Sequence, residues 1–287
     1  MSDTKLPLIS VIIPTHNNGT TLHTAIESML SQTYPNIEVI VVSDNSTDNT
    51  AEVGKRYAAA DARVRYFDLP FSDPNRINKR GRNINAGYSA RNYALDQARG
   101  EWITFQDGDD ASLANRIEVQ YKLALEYNSS HVSVQWQAYR DDLLNKKLDV
   151  ERIFKEKSDV VISTQKILEA TRRSKGPAVR LLGPLNEHIP FEWKRLRIIN
   201  KLFFGTLEPF PGSGNCPLVK RSVFDTVRFN PLHKRIWPSF MGRGADRDFN
   251  FRVAETFRDS ISFNLPLYLW RMDRENPDFI GYETYII

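Results

Sequence analysis

The sequence has few of the features that fix a chain covalently or anchor it in a membrane. Cys216 is the single cysteine among 287 residues, which excludes an internal disulfide and suits a reducing compartment. No apolar run approaches the ~20 residues of a membrane-spanning helix, and the N-terminus has no signal-peptide pattern. These absences favour a cytoplasmic protein, either free or attached peripherally to the inner face of the cell membrane.

The overall composition is that of an ordinary globular protein, with 41% hydrophobic and 26% charged residues. The net charge of +4 is only mildly basic, and no nucleic-acid-binding module is recognisable. The five histidines have no metal-ligand spacing, which disfavours a zinc site. We therefore predict a folded protein without a nucleic-acid partner.

Apolar runs alternate with stretches of helical periodicity through the first half of the chain. Residues rich in β-branched or aromatic side chains predict strands at 8–13, 37–42, 64–67, 102–105 and 132–136. Helical spacing of apolar residues predicts helices at 20–31, 48–60, 86–98 and 115–127. This alternation predicts a mostly parallel sheet flanked by helices, with a ligand crevice at the carboxyl ends of the strands.

Carboxylates follow one of these strands directly. Asp107 and Asp109, separated by Gly108, come at the end of the apolar run 102–105. Two carboxylates at a sheet mouth suit Mg²⁺ or Mn²⁺, which keeps open positions for phosphate oxygens. The alternative is a solvated acidic turn, since Asp and Gly are common turn residues.

The second half of the chain begins with a charged stretch. Residues 137–205 predict a helical insertion, with nine Lys and Arg residues between 166 and 201. We favour a solvated helical face, and the alternative is a surface for an anionic lipid-linked or phosphorylated acceptor. Two glycine-containing loops follow, at 212–215 and 242–248, and the second leads into a predicted helix.

Four ordered segments resemble a known family. Residues 10–17, 41–48, 85–101 and 107–110 are similar to the nucleotide loops, the intervening helix and the Asp-X-Asp motif of inverting family 2 glycosyltransferases, which have the GT-A fold. The resemblance implies a Rossmann-like GT-A domain that transfers one sugar from a nucleoside-diphosphate sugar to a glycan by metal-dependent inverting displacement. It also implies a role in bacterial surface polysaccharide synthesis, such as capsule or lipopolysaccharide.

The resemblance divides the chain into three parts and assigns its site residues. Residues 1–136 would form the nucleotide-sugar half, 137–205 the basic insertion, and 206–287 the acceptor and catalytic-base half. The donor, a UDP-sugar by preference, would contact Pro14, Thr15, Asn17, Asp44, Arg82, Asn85, Asp107 and Gly108. Mn²⁺ or Mg²⁺ would bind Asp109 with help from Asp107. The acceptor side, for a glycan or lipid-linked glycan, would include Gly212, Ser213, Gly214, Asn215 and Asp248.

Asp246 is the position onto which the resemblance carries the catalytic base. A carboxylate must take the proton of the acceptor hydroxyl, because that hydroxyl alone is a poor nucleophile. A helix N-cap is the alternative role for Asp246. The sequence departs from the family at Ala245, where Glu is usual, at Ser43, where an acidic residue is common, and at Asp273, where His is common.

Two other functions compete with this interpretation. A catalytically silent nucleotide- or glycan-binding module is suggested by Ala245, but the retained Asp107, Asp109 and Asp246 argue against it. A sugar nucleotidyltransferase is disfavoured because the loop 14–19 has one glycine and neither Lys nor Arg.

Overall fold

The computed structural model describes residues 6–73, 76, 85–237, 244–272 and 285–287. A nine-stranded sheet runs through it in the order β3-β2-β1-β4-β8-β6-β9-β5, with β7 also paired to β9. The strands are β1 Ile9–Thr15, β2 Ile37–Ser43, β3 Val64–Asp68, β4 Trp102–Phe105, β5 Ala111–Ser112, β6 His131–Ala138, β7 Val161–Ile162, β8 Leu218–Lys220 and β9 Ile261–Trp270. The helices are α1 Leu22–Leu30, α2 Thr50–Ala60, α3 Tyr88–Gln97, α4 Arg116–Glu126, α5 Val150–Glu156, α6 Thr164–Arg173, α7 Pro177–Leu182, α8 Phe191–Lys194, α9 Asn200–Phe204 and α10 Ala245–Phe257.

The first half of the sheet is parallel, as predicted. β1 pairs with β2 and β4, and β2 pairs with β3, all in parallel register. Every residue of β1 and β2 is buried because helices cover both faces. Successive side chains point to opposite faces, so Val11 and Ile13 join one hydrophobic cluster whereas Ile12 joins the other.

The second half of the sheet is mixed. β8 lies antiparallel between β4 and β6, and β5 and β7 lie antiparallel to β9, whereas β6 and β9 are parallel. β8 follows the insertion and is only three residues long, so no local alternation of strand and helix fixes its direction. The α/β architecture and the helix-flanked central sheet are confirmed.

The predicted helices are present with shorter ends. The helix predicted at 86–98 begins only at Tyr88, because Ala86 and Gly87 have φ of 52° and 70°, which is left-handed backbone. The helix predicted at 48–60 begins at Thr50, whose N–H donates to Asp48 Oδ1 at 3.0 Å. Left-handed backbone thus precedes the first of these helices, and a hydrogen bond from the backbone to a side chain marks the start of the second.

The insertion consists of short helices rather than one long one. β7 within it pairs with β9, which attaches the insertion to the sheet. Helix α6 packs Ile167 and Ala170 against Trp237 and Phe251 of the main body. Helices α7 and α9 form a separate small cluster around Val179 and two phenylalanines. Across the described residues, none of the helices has the length and apolarity to span a bilayer.

Candidate active site

The carboxyl ends of β1, β2 and β4 meet at one edge of the sheet. The Asp44 N–H donates to the Thr15 carbonyl at 2.7 Å, and Thr15 Oγ1 donates to Asn18 Oδ1 at 2.9 Å. A Cβ on Gly108 would lie 2.8 Å from Thr15 Oγ1, so this position must be glycine for the loops to touch. Pro14 is buried at the end of β1, and Asn17 is exposed.

Asp44 is buried and paired with a residue that the sequence analysis did not select. Only 3% of its surface is exposed, and the Arg76 guanidinium forms a close ion pair with its Oδ1. Burial raises the pKa of Asp44, and the charge of Arg76 opposes that rise. Arg76 therefore belongs to the surroundings of this predicted donor residue, and any nucleobase that bound Asp44 would share the carboxylate with it. Arg82 lies outside the described residues.

Two predicted donor residues hold loops together. Asn17 has φ of 55°, its Oδ1 accepts from the Thr47 N–H at 2.8 Å, and its own N–H donates to Ser46 Oγ at 3.1 Å. Asn85 is 1% exposed, and its Nδ2 donates to Asp73 Oδ2 and Ser89 Oγ, each at 2.9 Å. Asn17 thus ties the loop after β1 to the loop after β2. Asn85 ties the start of α3 to the loop after β3.

The Asp107 carboxylate lies between two donors from distant parts of the chain. Arg91 Nη2 donates to Oδ1 at 2.6 Å and Asn215 Nδ2 donates to Oδ2 at 2.9 Å. The Arg91 side chain is only 6% exposed and the Asp107 side chain 27%, so the arginine end of this ion pair is shielded from solvent while the carboxylate stays partly accessible. The contact with Asn215 brings a predicted acceptor-side residue onto a predicted donor-side carboxylate.

Beneath Asp107 lies the tyrosine hub, which we define as Asp107, Asp110, Asn215 and Tyr268. The buried Tyr268 hydroxyl donates to Asp110 Oδ2 at 2.7 Å and accepts from Asn215 Nδ2 at 3.0 Å and the Asp107 N–H at 3.2 Å. Burial, together with the charges of Asp107 and Asp109, raises the pKa of Asp110 to about 8. The hub fixes the carboxylate loop to β9.

Asp109 occupies the outer position of the same turn. Its side chain is exposed, and its carbonyl accepts from Arg271 Nε at 3.0 Å. Within the described ranges, no group of three or more His, Cys, Asp or Glu residues forms a metal cage. Any cation at Asp107 and Asp109 would therefore take other ligands from substrate or water.

Asp246 is the second residue of α10, and its predicted N-cap alternative is wrong. Gly244, with φ of 86°, occupies the N-cap position. A Cβ on Gly214 would lie 2.8 Å from Asp246 Oδ2, so the carboxylate rests directly on the Gly214 backbone. The predicted base and the predicted acceptor loop are thus in contact.

Asn250 and His131 hold this contact from below. Asn250 Nδ2 donates to the carbonyls of Gly214 at 2.7 Å and Asp246 at 2.8 Å, which leaves Asn250 Oδ1 to face His131 Nε2 at 2.7 Å. His131 must therefore carry its proton on Nε2, and Ser260 Oγ donates to Nδ1 at 2.8 Å. Burial lowers the pKa of His131 to about 4. His131 is therefore a buried structural residue of β6.

Two predicted acceptor-side positions are structural. Asp248 is fully buried, and its Oδ1 accepts from the N–H groups of Ile236 and Trp237 while Oδ2 accepts from Arg252 Nε. Its hydrogen bonds hold the segment before α10, so its assignment to the acceptor side is corrected. Gly212 has φ of 123° and packs against Ser133 and Ser262.

Ser213 and Ala245 are also buried. The Ser213 N–H donates to the Val134 carbonyl at 2.6 Å, and Ser213 Oγ donates to Asn215 Oδ1 at 2.6 Å. Ser213 therefore orients Asn215 toward Asp107. Ala245 packs in the same hydrophobic cluster as Phe249, where a Glu would bury a carboxylate.

The residues that sequence reasoning missed gave little local signal. Arg91 lies within a segment that carried the family resemblance, which is a usable signal, although no role was attached to it. Tyr268 and His131 lie in strands, where the sequence pattern predicts only that a side chain packs against its neighbours. Asp273 lies outside the described residues, and Cys216 is buried.

The helix-flanked mixed sheet has the architecture of the GT-A fold. A family model, Glycosyl transferase family 2, matches residues 10–227. The chain therefore belongs to glycosyl transferase family 2. The matched residues end before α10, so Asp246 lies outside them.

Curated relatives resemble less than half of the chain. Glycosyltransferase GlyG of Streptococcus pneumoniae is 38% identical over 125 residues, which are 44% of this chain and 38% of GlyG. The Escherichia coli UDP-Glc:alpha-D-GlcNAc-diphosphoundecaprenol beta-1,3-glucosyltransferase WfgD is 36% identical over 123 residues, or 43% of each chain. The matched part thus spans less than half of these relatives.

Solved structures share the fold over nearly the whole chain. The mannosyltransferase PcManGT from Pyrobaculum calidifontis, in complex with GDP-Man and Mn²⁺, has a TM-score of 0.54 at 17% identity, covering 98% of this chain and 60% of that one. S. aureus TarS residues 1–349 with UDP-GlcNAc has a TM-score of 0.52 at 17% identity, covering 93% of this chain and 59% of that one. At such identity the likeness concerns the fold alone.

Proposed function

We propose that the protein transfers one sugar from a nucleoside-diphosphate sugar to a glycan acceptor with inversion at the anomeric carbon. One observation carries the proposal: two consecutive residues connect the donor and base sides. Gly214 lies against the Asp246 carboxylate, and Asn215 donates to the Asp107 carboxylate. A sugar held at Asp107 would therefore lie close to a base at Asp246.

On the donor side, the edge formed by Thr15, Asp44 and Gly108 would hold the nucleoside diphosphate. The contact between Gly108 and Thr15 supports this assignment, because it lets the two loops line one crevice. We propose a UDP-sugar. The activity of the relative WfgD, which uses UDP-Glc, and the TarS complex with UDP-GlcNAc favour that nucleotide.

A divalent cation, Mn²⁺ or Mg²⁺, would bind Asp109 with support from Asp107. The residues fit such an ion by chemistry, since carboxylate oxygens are its preferred ligands. Asp109 is exposed, whereas each oxygen of Asp107 already accepts from Arg91 or Asn215. When bound, the cation would stabilise the negative charge of the departing diphosphate.

The Asp246 carboxylate would accept the proton of the acceptor hydroxyl. That oxygen forms its bond to the anomeric carbon as the bond from carbon to the diphosphate oxygen breaks, and the nucleoside diphosphate leaves. Asn250 would keep the base in place, because it binds the Asp246 and Gly214 carbonyls together. Ala245 does not argue for a silent module, since this position is core packing here.

The acceptor would be a glycan or a lipid-linked glycan of a bacterial surface polysaccharide, such as capsule or lipopolysaccharide. The names of two relatives support this class. WfgD acts on a GlcNAc-diphosphoundecaprenol, and a Campylobacter jejuni relative that is 37% identical over 121 residues acts on a diphosphoundecaprenol-linked glycan. We place the reaction in the cytoplasm, at the inner face of the cell membrane.

The experiment that tests this function is a transfer assay. The full chain is incubated with UDP-Glc, UDP-GlcNAc or UDP-Gal, Mn²⁺, and a GlcNAc-diphospho-lipid analogue, and the products are analysed by mass spectrometry. We expect the acceptor mass to increase by one sugar with one donor. Nucleotide binding without turnover of any donor, either onto acceptors or by hydrolysis, would favour the silent module instead.

A further inference from the structure

The segment that contains helices α7, α8 and α9 exposes large apolar side chains to solvent. Of the thirteen large hydrophobic side chains that are exposed in the described part of the chain, six lie between 181 and 202. Two of them are almost fully exposed, at 87% for Leu181 and 93% for Ile198. We call these six residues the apolar face: Leu181, Leu185, Trp193, Leu196, Ile198 and Leu202.

The apolar face is not an unfinished core. The same helices pack inward around Val179, Phe203 and Phe204, with Leu182 and Ile199 against them. In α9, for example, Phe203 and Phe204 are buried while Leu202 points to solvent. Since α9 contacts both α7 and α8, the three helices form one unit. Its exposed apolar side chains are left over after that unit has folded, which marks an interaction surface.

Basic residues alternate with the apolar ones. Arg180 precedes Leu181, Arg197 lies between Leu196 and Ile198, and Lys201 precedes Leu202; all three basic residues are exposed. Nine Lys and Arg against three Glu give residues 166–201 a charge of +6, whereas the whole chain carries +4. The remainder of the chain therefore carries −2, and the positive charge is concentrated beside the apolar face.

From this combination we propose that the apolar face docks onto an anionic lipid bilayer. Apolar and aromatic side chains would enter the boundary between headgroups and acyl chains, while Arg and Lys contact lipid phosphates. A second copy of the chain is a poorer occupant, because two surfaces that each expose Arg180, Arg197 and Lys201 would repel each other. The inference rests on the proposed function in one respect, since a lipid-linked acceptor lies at such a surface.

The docking unit is attached to the helix that carries the proposed base. Arg247, the residue after Asp246, donates from Nη2 to the Glu208 carbonyl at 2.9 Å and from Nη1 to the Trp237 carbonyl at 2.8 Å. The Trp237 indole in turn donates to the Thr171 carbonyl of α6 at 3.2 Å. Both ends of the segment between α6 and residue 208 are thus fixed near α10, so docking would bring the site to the membrane surface.

The test is flotation of the full chain with vesicles of phosphatidylcholine alone or with phosphatidylglycerol. We expect binding to the anionic vesicles and at least tenfold less binding to the neutral ones. The triple variant L181S/W193S/I198S should lose at least tenfold of the anionic binding. The matched control is L125S, because Leu125 on α4 is also exposed, at 60%. This variant should bind vesicles like the unchanged chain.

A charge variant separates the two contributions. R180Q/R197Q/K201Q should abolish the preference for anionic lipid, whereas K55Q/R56Q/K122Q, with exposed basic residues on α2 and α4, should keep it. Equal binding of all variants, or no binding of the unchanged chain, would overturn the proposal. The proposal would also be overturned if sedimentation velocity showed that the unchanged chain is a dimer and that L181S/W193S/I198S is a monomer.

Flotation reads docking independently of catalysis. If L181S/W193S/I198S loses vesicle binding but still transfers sugar to a water-soluble acceptor, the docking surface is supported and the proposed transferase function is retained. If the variants change vesicle binding as expected but the unchanged chain transfers no sugar, the docking surface is supported and the proposed function is contradicted.

Discussion

Tyr268 connects the carboxylate loop to the predicted acceptor loop at 212–215 through a single hydroxyl, and Tyr268→Phe removes only that hydroxyl. Three partners lose a hydrogen bond: Asp110 Oδ2 at 2.7 Å, Asn215 Nδ2 at 3.0 Å and the Asp107 N–H at 3.2 Å. Asp110 is 2% exposed, so its oxygen gains no water in exchange. An unsatisfied buried acceptor costs about 1–3 kcal/mol.

That cost has a structural and a catalytic part. If the hub orients Asp107 and Asn215, removing the hydroxyl also raises the free energy of the transition state. We expect kcat to decrease roughly tenfold, which corresponds to about 1.4 kcal/mol. Nucleotide affinity in the presence of Mn²⁺ should decrease as well, because the carboxylate loop is less ordered. Steady-state kinetics, calorimetric titration of UDP with Mn²⁺, and thermal unfolding measure the three effects.

Tyr34→Phe is the matched control. Tyr34 is 2% exposed, and its hydroxyl donates to the Pro7 carbonyl at 2.7 Å, near the start of β1 and away from the carboxylate edge. It should lose a comparable free energy of unfolding and keep its kcat and UDP affinity. If Tyr268→Phe behaves in all three measurements like Tyr34→Phe, the hub is structural only and the reasoning is refuted.

Three further predictions follow from the site. Asp109→Ala should weaken UDP binding at least tenfold in Mn²⁺ and leave the weak metal-free binding unchanged, and equal loss with and without Mn²⁺ would contradict the metal assignment. Gly214→Ala should lower kcat roughly tenfold with little change in melting temperature. The reason is that the new Cβ, which would lie 2.8 Å from Asp246 Oδ2, displaces only that side-chain oxygen. An unchanged kcat would argue against Asp246 as base. The pKa of His131 is lowered from 6.5 to about 4. The neutral ring therefore contributes fully to the free energy of unfolding above pH 6.5, and this contribution, about 3 kcal/mol, is lost as the pH falls through 4. In urea unfolding curves recorded across this pH range, His131→Gln should show a smaller loss of stability than the unchanged chain. An equally steep acid loss in that variant would assign it to other groups.

Local patterns were sufficient for the first half of the fold. β1 and β2 are buried runs followed by polar residues, and that order alone predicts a parallel sheet with a ligand edge. The same reasoning brought Thr15, Asp44 and Gly108 to one edge. These residues interact with partners at neighbouring strand ends, so their geometry follows from the alternation of strands and helices.

The rest depends on contacts between residues far apart in sequence. Tyr268 reaches Asp110 across 158 positions, and His131 reaches Asn250 across 119. No periodicity encodes such a pairing, because each strand reads as ordinary core. The family resemblance assigned Asp248 to the acceptor side, whereas its buried carboxylate accepts from the N–H groups of Ile236 and Trp237.

The central claim is that Asp246 takes the proton of the acceptor hydroxyl, and Asp246→Asn tests it most directly. The change keeps the size of the side chain and removes its basicity, so transfer should decrease by about 10²–10⁴-fold. The affinity for UDP and Mn²⁺, measured by calorimetry on the same preparation, should be unchanged. An Asp246→Asn protein with full transfer activity would contradict the assignment of the base and, with it, the proposed mechanism.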